Sequence, residues 1–139
     1  MNRTLGQKRA HFALNFIKQK SKKLHENNKE KDKEKYHTLI RKAPATILQN
    51  GLGQLLAFWL ADNEGKKGEN RKPSGILYDQ LNKWLCGTVN NNDYPCRIYE
   101  KDNLIEEVMG GERHKYMRAQ QEALALLDWM KKFAEAWLA

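Results

Sequence analysis

Proline occurs three times in 139 residues and cysteine twice, at Cys86 and Cys96. Two cysteines ten positions apart make neither a CxxC metal pair nor a disulfide framework, so the expectation is two ordinary thiols. No run of eighteen apolar residues exists, which excludes a hydropathy-defined transmembrane helix. The opening MNRTLGQKRAHFALNF lacks the apolar core and small-residue cleavage site of a secretory signal, so the expected location is the cytoplasm. Histidines are few (His11, His25, His37, His114) and none has a second ligand at i+3 or i+4 on an apolar face. No metal and no cofactor are expected. Alternating apolar–polar runs are scarce as well, with CRIY (96–99) the one weak strand candidate. Nor does any nucleophile–base pair fall at a readable spacing, so an enzyme is not expected.

What is abundant is positive charge. The chain carries 25 Lys and Arg against 17 Asp and Glu, a net +8. Residues 1–72 hold 17 against 7, or +10; residues 73–139 hold 8 against 10, or −2. A basic half favours an anionic partner, of which nucleic acid is the commonest.

Apolar spacing predicts an all-α fold: one compact domain over 1–139 with five or six helices, the first and last long. Leu5, Phe12, Ala13, Phe16, Ile17 and Leu24 share a face of a first helix running from Arg3 to about Asn27. Tyr36, Leu39, Ile40 and Ala43 place a second, with a break or kink expected before Pro44. Residues 62–75 and 88–101 are expected to be mobile loops, with Ser74 and Asp102 capping the helices that follow. Leu77, Leu81, Trp84 and Leu85 share a face of the first of these helices. Leu104, Ile105, Val108 and Met109 mark a short one that ends at Gly110–Gly111. In the last, Tyr116, Ala123, Leu127, Met130, Ala134 and Trp137 form one stripe.

The stretch ILQNGLGQLLAFWL (47–60) has three readings. An Asn50–Gly51 hairpin needs alternating strands, which are lacking. A phosphate loop needs a third glycine or a following lysine, also lacking. A buried helix fits better, with Leu48, Leu52, Leu55 and Trp59 on one face. Its two interior glycines then imply close packing by another helix or approach by a partner. Asn50 either caps a kink or points outward.

The segments KYHTLIRKAPATILQNGLGQLLAFWL (35–60) and YMRAQQEALALLDWMKKFAEAWLA (116–139) together resemble the small-subunit family of the Cmr effector complex, the type III-B CRISPR–Cas RNA-targeting machine. Arg41–Lys42, Pro44 and the NGL core match the first part of that pattern. Tyr116, Arg118, Glu122–Leu124, Trp129, Lys131, Phe133 and Ala134–Ala136 match the second. Ala43 departs from the usual leucine, and Arg118 is shifted by one. The resemblance implies a non-catalytic helical subunit of an antiviral complex. Its copies would stack into a filament beside the backbone and large subunits and line the channel of guide and target RNA. The alternative is a free-standing basic helical adaptor for RNA or protein. Candidate RNA contacts are Lys8, Lys18 and Lys22 on the first helix, Arg41 and Lys42, and Arg113, Lys115 and Arg118 on the last. Asn50, Gln54 and Trp137 are candidate subunit or RNA contacts. The other tryptophans are expected in the core.

Overall fold

A computed structural model describes residues 4–26, 29–63, 71–86 and 98–138. They form six helices: α1 (Leu5–Glu26), α2 (Glu30–Asn50), α3 (Leu52–Asn63), α4 (Pro73–Cys86), α5 (Leu104–Gly110) and α6 (Arg113–Trp137). No strand occurs among the described residues. Of the CRIY segment, Ile98 and Tyr99 are described, and both backbone N–H groups donate to Leu85 O, at 2.7 and 3.1 Å. The rest of it, Cys96 and the Asn-rich 90–92 lie outside the described residues, as do most of the two expected loops. The ends of the 62–75 stretch are helical: Asp62 and Asn63 close α3, and Pro73 opens α4.

The apolar stripes converge on one core. Ala13 and Ile17 of α1 meet Tyr36, Ile40 and Ile47 of α2, Leu52 and Leu56 of α3, Leu77 and Trp84 of α4, and Ala123, Leu127 and Met130 of α6. Burial of such side chains is the main driving force for the fold, on the order of 1.5–3 kcal/mol each. Tyr36 is fully buried and donates its hydroxyl to Gln80 Oε1 at 2.6 Å, and burial pushes its phenol well above the ordinary tyrosine range.

Contacts distant in sequence set the helix directions. Arg9 meets Glu122, and Ser21 Oγ donates to Trp137 O at 3.1 Å, so α1 and α6 run parallel. His37 lies 3.9 Å from Glu135 while Gly53, just past the end of α2, meets Tyr116, so α2 runs antiparallel to α6. At the centre is the Glu122 carboxylate. Arg9 donates Nε to Oε1 at 2.5 Å and Nη2 to Oε2 at 2.8 Å, and Trp84 Nε1 donates to Oε1 at 2.9 Å. Glu122 is 8% exposed, and a charge so placed requires this pairing.

The structure corrects the reading of residues 43–60. α2 continues through Pro44. The lost N–H and the ring clash cost about 3 kcal/mol in a helix interior, offset by burial of Ala43 and Ile47 on either side. The break comes instead at Gly51, with φ +88°, a conformation that L side chains avoid. Residues 47–60 are therefore two helices, and Gly51 is a junction, not a helix interior. The new helix starts in a new rotational phase. Leu52, Leu55 and Trp59 are buried as expected, but Leu48 belongs to the other helix and is 73% exposed.

The caps are also corrected. Ser74 Oγ donates to Asp62 Oδ2 at 2.8 Å and does not cap α4. Asp102 accepts from Asn82 Nδ2, and the residue flanking α5 is Asn103, which makes no side-chain cap bond. Two helix starts are instead satisfied from other helices. For α3, Leu52 N–H donates to Gln120 Oε1 at 3.0 Å and Gly53 N–H to Tyr116 Oη at 3.1 Å. For α5, Leu104 N–H donates to Asn82 Oδ1 at 2.8 Å and Ile105 N–H to Tyr78 Oη at 3.1 Å. Each pair is a tyrosine followed four residues later by an amide, one turn apart on the same helix face.

The junction and the central carboxylate can each be tested by substitution. A Cβ at Gly51 would meet Tyr116 Oη at 2.9 Å in a strained backbone, whereas at Gly53 it would meet the flexible Met109 Cε at 3.0 Å. Gly51→Ala should lower stability by about 1–3 kcal/mol in urea titration, while Gly53→Ala should change it by less than about 1 kcal/mol. Equal effects would contradict the junction account. Glu122→Ala removes the two bonds to Arg9 and the acceptor of the Trp84 N–H, and should cost about 3–5 kcal/mol; Trp84→Phe loses one bond and should cost about 1–2 kcal/mol. A Glu122→Ala midpoint equal to wild type would remove this carboxylate from its central place.

Candidate functional site

The candidate contacts divide by position along the bundle. Because α1 and α6 are parallel, Lys8, Arg113, Lys115 and Arg118 lie at the end where those helices begin. The α2–α3 junction is at the same end, flanked by Asn50 and Gln54. Arg113, Arg118, Asn50 and Gln54 are exposed, while Lys8 and Lys115 are half-buried. Lys18, Lys22 and Trp137 gather toward the opposite end. There Lys18 Nζ sits 5.3 Å from the Trp137 ring centroid, a cation–π contact that joins two separately singled-out residues.

Arg41 and Lys42 are both exposed but do not act on the same space. Successive helical residues diverge by about 100°. Arg41 lines a groove with Glu34, His37, Thr38 and Leu138. Lys42 lines a different groove, of about 470 Å³, between α2 and α3. The second groove is floored by Leu39, Ala43, Leu55 and Trp59 and flanked by Phe58, Lys35, Asn50 and Asp62. Lys35 lies 3.8 Å from Asp62, whereas Lys42 enters no ion pair among the described residues.

Of the tryptophans, Trp84 and Trp59 are in the core, as expected, and Trp129 is half-buried. Trp137 is 41% exposed and ends an aromatic ladder, with Trp129–Phe133 stacked at 5.6 Å and Phe133–Trp137 edge-on at 6.1 Å. Lys132 covers Trp129 at 5.1 Å.

Sequence reasoning missed two features. The first is a basic cluster between α1 and α4. Asp79 pairs with Arg71 at 3.4 Å and Lys83 at 3.2 Å. Nearby, half-burial and then the charges of Lys23, Arg71 and Lys83 hold the Lys20 ammonium below the usual lysine range. The i,i+4 spacing of Asp79 and Lys83 is legible in the chain, but the arrival of Lys20 and Arg71 beside it is not. The second is Phe58, 62% exposed beside the α2–α3 groove although its segment reads as buried. Among the described residues, no group of three or more His, Cys, Asp or Glu is placed to hold a metal ion, and no helix is long and apolar enough to cross a membrane.

The chain also compares closely with known proteins. A family model described as CRISPR-associated protein (Cas_Cmr5) matches residues 5–137. The X-ray crystal structure of a CRISPR-associated Cmr5 family protein from Thermus thermophilus superposes with a TM-score of 0.67 at 24% identity, covering 99% of this chain and 100% of that one. At that identity the structural likeness speaks for the fold; the family match covers nearly the whole chain. The six helices with long first and last members agree with both, and the chain belongs to the Cmr5 family of CRISPR-associated proteins, a Cmr-type small subunit.

Proposed function

We propose that this protein is a non-catalytic small subunit of a cytoplasmic, RNA-guided antiviral Cmr complex. Its copies stack beside the backbone and large subunits and line the channel in which target RNA pairs with the guide. The observation that carries the reading is the family match over residues 5–137, joined to a basic surface on a chain of net +8. A channel-lining subunit needs cations facing solvent and no base readout, because the guide supplies sequence recognition. The exposure of Lys18, Lys22, Arg41, Lys42, Arg113 and Arg118 supports that role, with Lys8 and Lys115 contributing from half-buried positions. Asn50, Gln54 and Trp137 are assigned to subunit or RNA contact on the same ground of exposure.

The buried carboxylate of Glu122 is committed to Arg9 and Trp84, which supports a structural role for it. Catalysis is assigned to other subunits.

The direct test replaces Arg41 and Lys42 by glutamate and measures target-RNA retention by the assembled complex across a salt series. The expected result is weaker retention and a shallower dependence of log affinity on log salt, by about 1–2 units of slope, with helicity intact. An unchanged slope removes these two residues from the RNA path. Tight RNA binding by the isolated chain, with no particle recovered around it, would instead favour the free-standing adaptor.

A further inference from the structure

The α2–α3 groove and the outer end of α5 differ in charge, each exposes one large apolar side chain, and they lie on opposite sides of α3. The groove presents Phe58, 62% exposed, over Leu39, Leu55 and Trp59, with Lys42 at its edge. It belongs to a basic segment: residues 29–50 carry six Lys and Arg against three Asp and Glu. The end of α5 presents Met109, 60% exposed, beside exposed Glu106. It belongs to an acidic segment: residues 98–112 carry Glu100, Asp102, Glu106, Glu107 and Glu112 against Lys101 alone. Neither Lys42 nor Glu106 enters an ion pair among the described residues.

The placement around α3 decides which chains can bring them together. Met109 lies against the Gly53 side of α3. At about 100° per residue, Leu55, Phe58, Trp59 and Asp62 fall on the other side of that helix. Within one chain the Met109 end of α5 therefore cannot reach the groove. A second copy can supply it, and a copy that uses its groove on one flank and its α5 end on the other leaves one of each unfilled. Such a head-to-tail contact does not close on itself as a twofold dimer does.

We infer that the α2–α3 groove receives the Met109 end of α5 from a second copy of this chain, Lys42 facing Glu106, so that copies join head to tail. The inference rests on the stacking part of the proposed function, specifies the surfaces that would carry it, and moves Lys42 from the RNA-facing cations to the subunit contact, leaving Arg41 in its separate groove toward RNA. Met109 enters the apolar groove as an unbranched side chain able to fit an irregular floor, and Phe58 supplies an aromatic wall. The facing charges fix orientation and make the contact sensitive to salt.

The test is sedimentation velocity of the full-length chain from micromolar to millimolar concentration at low and high salt. Wild type should grow past a dimer as concentration rises and shrink as salt is added. Phe58→Ser and Met109→Ser, both at exposed positions, should each weaken association about tenfold or more while keeping wild-type helicity and thermal midpoint. Mixing the two variants should restore association but stop it at a dimer, because only one intact groove and one intact α5 end remain to meet. Lys42→Glu and Glu106→Lys should each weaken growth, and the two changes in one chain should restore it.

A monomeric wild type, growth that survives either serine variant, or a mixture that stays monomeric would overturn the inference. So would a Phe58→Ser chain that self-associates normally but loses RNA or another Cmr subunit, since the groove would then belong to that partner. Recovery of native particles separates this from the wider reading. Growth of the pure chain without any guide-RNA particle would sink the complex reading alone; a particle built on a non-associating chain would sink the docking alone.

Discussion

Glu122 sits midway along α6 with its carboxylate almost out of reach of water, and two helices distant in sequence are bound to it. Arg9 approaches from α1 with two nitrogens, Trp84 from α4 with its indole N–H. A guanidinium fork meets both carboxylate oxygens in only one relative placement, so this contact sets the register of α1 along α6 as well as holding it there. The same placement brings Phe12 onto Trp84, with ring centroids 4.6 Å apart. Because α2 lies antiparallel to α6, fixing α1 on α6 fixes the two ends of the bundle and hence which basic residues share an end.

The start of a helix leaves backbone N–H groups without partners, and most proteins satisfy them from the sequence just before. Here α3 and α5 are each satisfied by a tyrosine and an amide on another helix. Tyr116 and Gln120 hold α3 against α6; Tyr78 and Asn82 hold α5 against α4. The arrangement couples local folding to tertiary packing, since neither start is satisfied until its partner helix is in place. It also explains the Gly51 junction. The tyrosine hydroxyl that serves the first turn of α3 occupies the space that a side chain at position 51 would need.

Their consequence for the surface is a division of labour. The bundle ends carry the separated basic residues, the α2 face sends Arg41 and Lys42 into two different grooves, and the junction turns Leu48 and Phe58 outward. A charge pair read in the sequence as one feature thus becomes two. Phe58 stands beside the apolar floor of the α2–α3 groove, whereas Leu48 is a single exposed residue of the kind that needs no further explanation.

The sequence by itself determined the helices. The 3.6-residue recurrence of apolar positions over 5–24, 36–43 and 116–134 was enough to place α1, α6 and the part of α2 before Pro44, because an apolar stripe must be buried and a helix is the conformation that gathers it on one side. Gly110–Gly111 ended α5 as its composition required. The motifs flanking Pro44 and Trp129 carried the family. What only the tertiary structure decided was every feature that depends on one helix meeting another. Pro44 could stay inside α2 because core burial outweighed a local penalty. Ser74 and Asp102 lost their expected capping roles, and two helix starts were satisfied by residues 22 to 68 positions away. Glu122 and Trp84 read as a matched motif residue and a core aromatic, and the bond between them spans 38 residues. Local spacing encodes which side of a helix is apolar; it holds no record of the angle and register at which two such sides will pack.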